Sequence, residues 1–315
     1  MSTPKRKLIL RNFQAPGDIV VLSAAVRDLH RCYPGRFATD VRTLHPMLWW
    51  NNPFVVALRD DDRAAEIIDC HYPLIRQSNE SPHHFVDGFI DYLNQRLALQ
   101  VVLTEFKGDI HLSEAEKRGA SGLSDAIGQG WPCWIVVAGG KSDFTIKHWA
   151  RERYQCVVDA YRDRIRFVQV GAAGDQHPPL EGVIDLRGRT TLRDLVQLVY
   201  HCDGVLTPVS LLMHLAAAVE TKDGLSARPC VVVAGGREPP QWVAYPHHQF
   251  IHTIGALPCC ARGGCWKART VALGDQAEHD RPDSLCVDVR GELPHCMDMI
   301  KAEDVIRRIE MYLGG

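Results

Sequence analysis

The stretch that decides the fold class is WIVVAGG, Trp134 to Gly140, in which five apolar residues run directly into two glycines. A continuous apolar run bounded by turn residues is typical of a strand that is covered on both faces. The residues that follow predict a helix over about 149–161, another apolar strand over 165–170 and a second glycine turn at 171–174. Strands that alternate with helices in this way favour a parallel sheet with helices on its faces.

The same pattern occurs in the first part of the chain, where Leu8-Ile9-Leu10 predicts a buried strand. A turn at Gly17 then opens a predicted helix that continues to Cys32 and stops at Pro34-Gly35. Glycines among polar residues at 113–130 indicate a boundary. We therefore expect an α/β protein with two Rossmann-like domains that face each other across a cleft. The expected units are residues 1–125, residues 126–300 and a C-terminal helix over 301–315.

Length and charge exclude several classes of protein. The chain has 315 residues and a net charge of −2, so its overall charge does not attract nucleic acid or anionic lipid. The basic start Lys5-Arg6-Lys7 lacks the long apolar stretch and the cleavage site of a signal peptide. No apolar run approaches the roughly 18 residues of a membrane-spanning helix. These features predict a cytoplasmic protein that binds no nucleic acid and has no transmembrane segment.

Five of the eleven cysteines crowd into the loop-like stretch 257–298, whereas the other six are scattered among apolar neighbours as small buried hydrophobes. In a reducing compartment such a cluster indicates a metal before disulfides, and tetrahedral sulfur coordination suits zinc or iron. A closed four-sulfur site leaves no position for a substrate, so we expect a structural ion. One of the first two cysteines would be a spare, and a chance cluster of buried thiols is the alternative. The candidate ligands are Cys259, Cys260, Cys265, Cys286 and Cys296.

Three motifs then suggest a family. They are the turn Ala15-Pro16-Gly17-Asp18-Ile19-Val20, the segment Lys147-His148-Trp149, and the run from Thr190 through Asp203 and Ser210 to His214-Leu215-Ala216-Ala217-Ala218. With these motifs the chain resembles family 9 glycosyltransferases, the group of the ADP-heptose:lipopolysaccharide heptosyltransferases. The resemblance implies a glycosyltransferase-B type fold with an N-terminal acceptor domain and a C-terminal nucleotide-sugar domain. In such enzymes the last helix often crosses back to the N-terminal domain, although a simple packing element is the plainer interpretation.

The resemblance also implies roles for single residues. Asp18 matches the proposed general base, which would take the acceptor proton in an inverting displacement. A lysine charge and the N–H groups of a helix start can hold the departing diphosphate. Asp18 could instead be a helix cap, Lys147 solvated surface and His214 a satisfied packing residue. The implied donor-site residues are Gly17, Lys147, Ser210 and His214.

Two further features bear on the donor and on the metal. Asp175 lies in a glycine turn after a strand and could bind a ribose hydroxyl, although such turns are common. Val209 and Leu211 stand where the family usually has an acidic residue and a glycine, which leaves the identity of the sugar open. The cysteine-rich tail is similar to that of the iron-binding heptosyltransferases that modify bacterial autotransporter proteins.

We therefore expect an inverting glycosyltransferase whose chemistry needs no metal. It would move a sugar from a nucleotide-sugar donor, with ADP-heptose implied by the resemblance, to a hydroxyl of a glycan, a protein or a small molecule. One alternative is a non-catalytic assembly protein with the same fold. Another is a redox protein with a cysteine-held iron–sulfur cluster, which the absence of a G-x-G-x-x-G turn disfavours. The oligomeric state, including a homo-oligomer, stays open.

Overall fold

A small parallel sheet forms the centre of the first half. The structure is a computed structural model that describes residues 4–70, 77–119, 130–222 and 226–314. The sheet has the strand order β2-β1-β3, and all its pairings are parallel. Its strands are β1 (Arg6–Arg11), β2 (Phe37–Arg42) and β3 (Ala65–Asp69).

A larger parallel sheet forms the centre of the second half. Its six strands follow the order β6-β5-β4-β7-β8-β9. They are β4 (Cys133–Val136), β5 (Arg166–Gln169), β6 (Ile184–Asp185), β7 (Gly204–Pro208), β8 (Cys230–Gly235) and β9 (His248–His252). Strands β4, β7 and β8 are buried throughout, as expected for a parallel sheet covered on both faces. The α/β fold with parallel sheets predicted from the sequence is confirmed.

Helices cover both sheets, and short helical turns connect them. Within the described residues, the helices are α1 (Pro16–Cys32), α2 (Phe85–Leu97), α3 (Glu114–Lys117), α4 (Arg151–Ala160), α5 (Leu192–His201), α6 (Leu211–Ala218), α7 (Pro240–Val243), α8 (His295–Asp298) and α9 (Ala302–Leu313). Single 3-10 turns occur at Pro46–Trp49, Gln77–Asn79, Thr145–Lys147, Pro258–Cys260, Glu278–Asp280 and Pro282–Ser284. No helix of the described ranges is both long and apolar enough to cross a membrane. The predicted boundary at 113–130 lies partly outside the described residues, because 120–129 are not among them.

Helix α1 joins the two halves. Its residues from Asp18 to Leu29 are buried, and it packs against α2 of the first half and α6 of the second. One apolar core therefore runs through both halves, from Leu8 and Leu10 of β1 to Leu212 and Leu215 of α6. The starts of α1 and α6 consequently meet inside the molecule.

An ion pair forms a second connection between the halves. The Arg193 guanidinium of α5 donates to both carboxylate oxygens of Glu116, at 2.6 and 2.8 Å, and also to the carbonyl oxygens of His111 and Met47. The Arg193 side chain is 6% exposed and the Glu116 side chain 17%. Pairing with Arg193 lowers the pKa of Glu116 to about 2. The guanidinium thus holds α3 and the turn Pro46–Trp49 against α5.

The C-terminal helix α9 packs on the second half of the chain. Val305 and Ile309 are fully buried in the core formed by β4, β8 and α4. Tyr161 donates its hydroxyl to the carbonyl of Ile306 at 2.8 Å, and Tyr312 donates to that of His247 at 2.6 Å. The apolar face of α9 is therefore buried against the second sheet. This differs from the return to residues 1–125 that the resemblance allows, and it agrees with the plainer interpretation.

The cysteine-rich stretch folds largely without regular structure. The strands β10 (Val289–Arg290) and β11 (Leu293–Pro294) form a two-stranded antiparallel ribbon near its end. The guanidinium of Arg269, 1% exposed, pairs with Asp275 and Asp280 and holds the middle of the loop. A buried guanidinium with two carboxylate partners and the carbonyl of Asp143 thus organises the middle of the loop.

Candidate active site

The candidate site lies where the starts of α1 and α6 meet. A Cβ added to Gly17 would stand 3.2 Å from Cδ2 of His214 and 3.7 Å from Cα of Leu211. A glycine at the start of α1 therefore lets the two helices approach closely. The structure brings two of the predicted site residues from opposite halves of the chain, Gly17 and His214, into contact.

Asp18 is the third residue of α1 and is 8% exposed. Its Oδ2 accepts a hydrogen bond from the backbone N–H of Ala15 at 2.9 Å, so the carboxylate also helps to cap the start of α1. Burial raises the pKa of Asp18 to about 7, although the Ala15 N–H and the charges of Lys147 and Lys141 lower it and Glu238 raises it further. A carboxyl that titrates near neutral pH has the proton affinity that a general base needs.

Lys147 ends the 3-10 turn that follows the glycine turn after β4. Its Nζ lies 3.1 Å from Oε1 of Glu238 and 5.5 Å from the centre of the Phe144 ring. Burial lowers the pKa of Lys147, while the charges of Glu238 and Asp18 raise it. The lysine is therefore a paired and mostly buried cation, with 23% of its side chain exposed, and not a freely solvated surface residue.

Arg237 and Glu238 belong to this cluster, and neither residue was predicted from the sequence to have a role. They follow the Gly235-Gly236 turn at the end of β8 and form an ion pair with each other. Arg237 also lies over the rings of Phe144, at 4.7 Å, and Trp266, at 5.5 Å. A strand that runs into two glycines is the pattern that also precedes Lys147. From the sequence alone, that pattern could have predicted charged residues at the carboxyl edge of the sheet.

Ser210 and His214 have partners within the protein. The Ser210 hydroxyl caps α6 by accepting from the N–H of Leu212 at 3.2 Å, and it lies 2.7 Å from Oγ1 of Thr207. Nδ1 of His214 lies 2.9 Å from the Tyr245 hydroxyl. Burial lowers the pKa of His214 to about 3, so its ring is neutral at physiological pH. His214 can offer a hydrogen bond to a ligand there but no positive charge.

Asp175 lies at the carboxyl edge of the second sheet. The two glycine turns are joined there, because Gly140 and Gln176 exchange backbone hydrogen bonds of 3.0 and 2.9 Å. Gly139 has φ +120°, and a Cβ there would stand 1.9 Å from the Gln176 carbonyl oxygen, so only glycine fits. The Asp175 charge raises the pKa of His148, the residue after Lys147, against the larger lowering by burial. Asp175 thus borders the cluster around Lys147.

Two of the five candidate ligand cysteines lie beside the Gly235-Gly236 turn. A Cβ on Gly236 would stand 3.1 Å from Sγ of Cys260 and 3.3 Å from Cβ of Cys296. Burial, and then the neighbouring thiols of Cys260, Cys265 and Cys286, raise the pKa of Cys259 to about 11. Cys259 therefore lies within electrostatic range of three of the other candidate thiols.

The thiols have carbonyl partners in the structure. Sγ of Cys260 donates to the carbonyls of Thr253 and Leu257 at 3.5 Å each, and that of Cys286 donates to Asp288 at 3.3 Å. Across the described part of the chain, no three His, Cys, Asp or Glu side chains are arranged as ligands of one ion. The donor type therefore fits a sulfur-bound ion, whereas the described positions of the thiols do not form a ligand set.

The cysteine loop also contacts the first half. Asn79 donates to the carbonyl of Gly264 at 2.9 Å, and its Oδ1 accepts from the N–H of Gly264 at 2.8 Å and from Nε1 of Trp266 at 3.1 Å. On its other side, Trp266 packs against Arg237 of the charged cluster. The loop therefore links Asn79 to the residues around Lys147.

Comparison with known proteins identifies a family segment that contains several of these residues. Residues 75–223, just under half of the chain, match the sequence profile described as Glycosyltransferase family 9 (heptosyltransferase). This segment contains Lys147, Asp175, Ser210 and His214. By its fold and this segment, the chain is a glycosyltransferase. No curated protein sequence matches the enzyme.

Solved structures match the enzyme along its whole length. A family 9 glycosyltransferase from Veillonella parvula has a TM-score of 0.65 and 13% identity, with 99% of this chain and 98% of that chain covered. The Escherichia coli ADP-heptose lipopolysaccharide heptosyltransferase II has a TM-score of 0.63 and 16% identity, with coverage of 97% and 98%. The iron-containing dodecameric glycosyltransferase TibC from enterotoxigenic E. coli has a TM-score of 0.60 and 14% identity, with coverage of 98% and 76%. At these identities the likeness establishes the shared glycosyltransferase-B fold of this enzyme.

Proposed function

We propose that this glycosyltransferase moves a heptosyl group from ADP-heptose to an acceptor hydroxyl with inversion at the anomeric carbon. The heptosyl donor is supported by the description of the matched family and by the ADP-heptose enzyme among the similar structures. The observation that carries the mechanism is a buried carboxyl with a pKa of about 7, Asp18, within the field of the Lys147 ammonium.

In this proposal Asp18 is the general base. Its carboxylate accepts the proton of the acceptor hydroxyl while the hydroxyl oxygen attacks the anomeric carbon of the donor. The bond between that carbon and the diphosphate oxygen breaks, and its electron pair leaves with ADP. The products are the glycoside, ADP and a protonated Asp18, which returns its proton to solvent.

Lys147 and the start of α6 would stabilise the departing diphosphate. Lys147 supplies a positive charge that is held in place by Glu238. The first N–H groups of α6, beside Ser210, supply dipoles that favour an anion. His214 is neutral and lies against Gly17, so its role would be to shape the pocket and to offer one hydrogen bond. Asp175 at the neighbouring turn would accept from a ribose hydroxyl.

The cysteine group would hold one iron or zinc ion with a structural role. Four thiolates from Cys259, Cys260, Cys265, Cys286 and Cys296 would complete a tetrahedral shell, with Cys259 or Cys260 left over. Such an ion would fix the loop that carries Trp266 against Arg237. The iron named for the TibC structure supports iron as the first choice. No step of the transfer runs through this ion.

Residues 1–125 would carry the acceptor, and residues 126–300 the nucleotide sugar. A glycan, a protein side chain and a small molecule all offer the required hydroxyl. Assembly into a homo-oligomer is consistent with the dodecamer named for TibC, and sedimentation of the purified protein measures it.

Calorimetric titration with ADP, UDP, GDP, CDP and TDP tests the donor site. We expect micromolar binding of ADP alone, weakened about tenfold or more by Lys147→Ala, because a charge-assisted contact with phosphate is lost. Lys222→Ala is the matched control, since Lys222 pairs with Asp203 instead. Binding of none of the five nucleotides, or equal binding by wild type and Lys147→Ala, would refute the proposal.

A further inference from the structure

The Glu238 carboxylate uses only one of its two oxygens. Oε1 lies 3.1 Å from Nζ of Lys147 and is also the oxygen paired with Arg237. Oε2 is buried and has no hydrogen-bond partner within the described residues, and the residue as a whole is 8% exposed. A buried carboxylate oxygen without a partner is rare in folded proteins, because it loses its water without any replacement.

The orientation of this carboxylate is imposed by its neighbours. Arg237 is fixed by the rings of Phe144 and Trp266 and by a 2.7 Å hydrogen bond from its Nε to the carbonyl of Lys267. Lys147 is held at the end of its short helical turn. Both cations therefore meet Glu238 at Oε1, which leaves Oε2 available to a further donor.

The Glu238 carboxylate adjoins the proposed reacting centre, because its Oε1 lies 3.1 Å from Nζ of Lys147. The Glu238 charge acts on Asp18, whose pKa it raises. The other charged groups that act on Asp18 are Lys147 and Lys141. A phosphate oxygen would be repelled by the carboxylate, so the group that suits Oε2 is a neutral O–H donor. The sugar at this centre is the part of the substrate richest in such donors.

We propose that Glu238 is a specificity-determining residue whose Oε2 accepts a hydrogen bond from a hydroxyl of the transferred sugar. This assignment rests on the proposed heptosyl transfer. Oε1 meanwhile keeps Lys147 beside the diphosphate, so one carboxylate positions both parts of the donor. Because Oε2 is buried in the absence of a donor, binding of the sugar would require the side chains around it to rearrange.

The test compares ADP with ADP-heptose in wild type and in Glu238→Gln. A glutamine oxygen can still accept from Lys147, whereas its amide nitrogen at the position of Oε2 cannot accept a hydroxyl proton. We expect ADP to bind within about threefold of wild type and ADP-heptose about tenfold more weakly, so that the ratio of the two dissociation constants rises about tenfold. Glu310→Gln is the matched control, because Glu310 forms an exposed pair with Arg164 on α9. It should leave the ratio unchanged.

The outcomes separate this inference from the proposed function. If wild type binds neither ligand, both fail. If wild type binds both ligands and Glu238→Gln weakens ADP and ADP-heptose equally, Glu238 acts only through Lys147 and the specificity role is overturned.

Donor analogues that lack one sugar hydroxyl each provide a second measurement. Removal of the bound hydroxyl should weaken binding to wild type about tenfold and binding to Glu238→Gln little, in a double-mutant cycle. Equal losses in both proteins for every analogue would also overturn the role of Glu238.

Discussion

Asp18 and Lys147 come from opposite halves of the chain, and each shifts the pKa of the other. The lysine charge lowers the pKa of the aspartate, and the aspartate charge raises that of the lysine. Burial outweighs this mutual stabilisation for both side chains. The acidity of the proposed base therefore depends on how closely the two halves hold together.

The pH dependence of transfer should report Asp18. Because its pKa is about 7, we expect kcat to rise with pH through about 7 and then to level off, since only the carboxylate can accept a proton. Asp18→Asn should lower kcat by about 10²–10⁴-fold while ADP still binds. The measurement is kcat between pH 5.5 and 9 for both proteins. A wild-type rate that is flat across pH 7 would rule out Asp18 as the base.

The same carboxyl should destabilise the folded protein at neutral pH. Its pKa is raised from the ordinary value of 3.8 to about 7, so the folded state binds more protons than the unfolded state between these values. The contribution of Asp18 to the free energy of unfolding is then largest below pH 4 and falls as pH rises towards 7. Asp18→Asn should consequently be more stable than wild type at pH 8, by about 1 kcal/mol or more, and lose this advantage near pH 4. Denaturant unfolding at the two pH values checks this, and an asparagine variant that is less stable at both would contradict it.

The Arg193–Glu116 pair should contribute strongly to stability. Arg193→Leu leaves the Glu116 carboxylate, 17% exposed, without its counter-charge and two carbonyls without their donor, so we expect a loss of about 3 kcal/mol in the free energy of unfolding. Arg164→Leu is the control, because the exposed Arg164–Glu310 pair should contribute at most about 1 kcal/mol. Since Arg193 lowers the pKa of Glu116 to about 2, the wild-type advantage should be complete above pH 4.5 and disappear as pH falls through 2. Equal losses of unfolding free energy in Arg193→Leu and Arg164→Leu would refute this prediction.

The cysteine group should carry about one metal ion per chain. Elemental analysis of protein purified without chelator should find iron or zinc, and Cys265→Ser or Cys296→Ser should remove most of it and lower the melting temperature. Cys156→Ser is the control, because Cys156 is exposed and lies on α4 outside the group. Metal content that is the same in Cys265→Ser, Cys296→Ser and wild type would exclude these thiols as ligands.

Much of the fold follows from local pattern. The apolar runs that end in glycine, such as 134–140, predict both the parallel sheet and the edge at which charged residues gather. The turn at Gly17 correctly predicts the start of α1, because a glycine before an apolar helix is a local signal. These elements depend on neighbours in the chain, which the sequence displays directly.

Other features depend on residues that are far apart in the chain. Tyr245 meets His214 across 31 positions, and Glu238 meets Lys147 across 91. Neither pairing has a periodic signature, so the sequence could not show that His214 is neutral or that Lys147 is an interior ion pair. The placement of α9 on the second sheet is decided by which apolar surface remains uncovered. That information exists only in the packed molecule.

The three hydrogen bonds of Asn79 have a mechanical consequence. The first half meets the second at the Gly17–His214 contact, at the Arg193–Glu116 pair and, through Asn79, at the cysteine loop. The Asn79 contact consists of neutral hydrogen bonds, whereas the Arg193 contact is charge-assisted and mostly buried, so the Asn79 contact is the weaker of the two. The same loop carries Trp266 onto Arg237, so a shift of the cysteine loop would loosen Asn79 and change the surroundings of the charged cluster together.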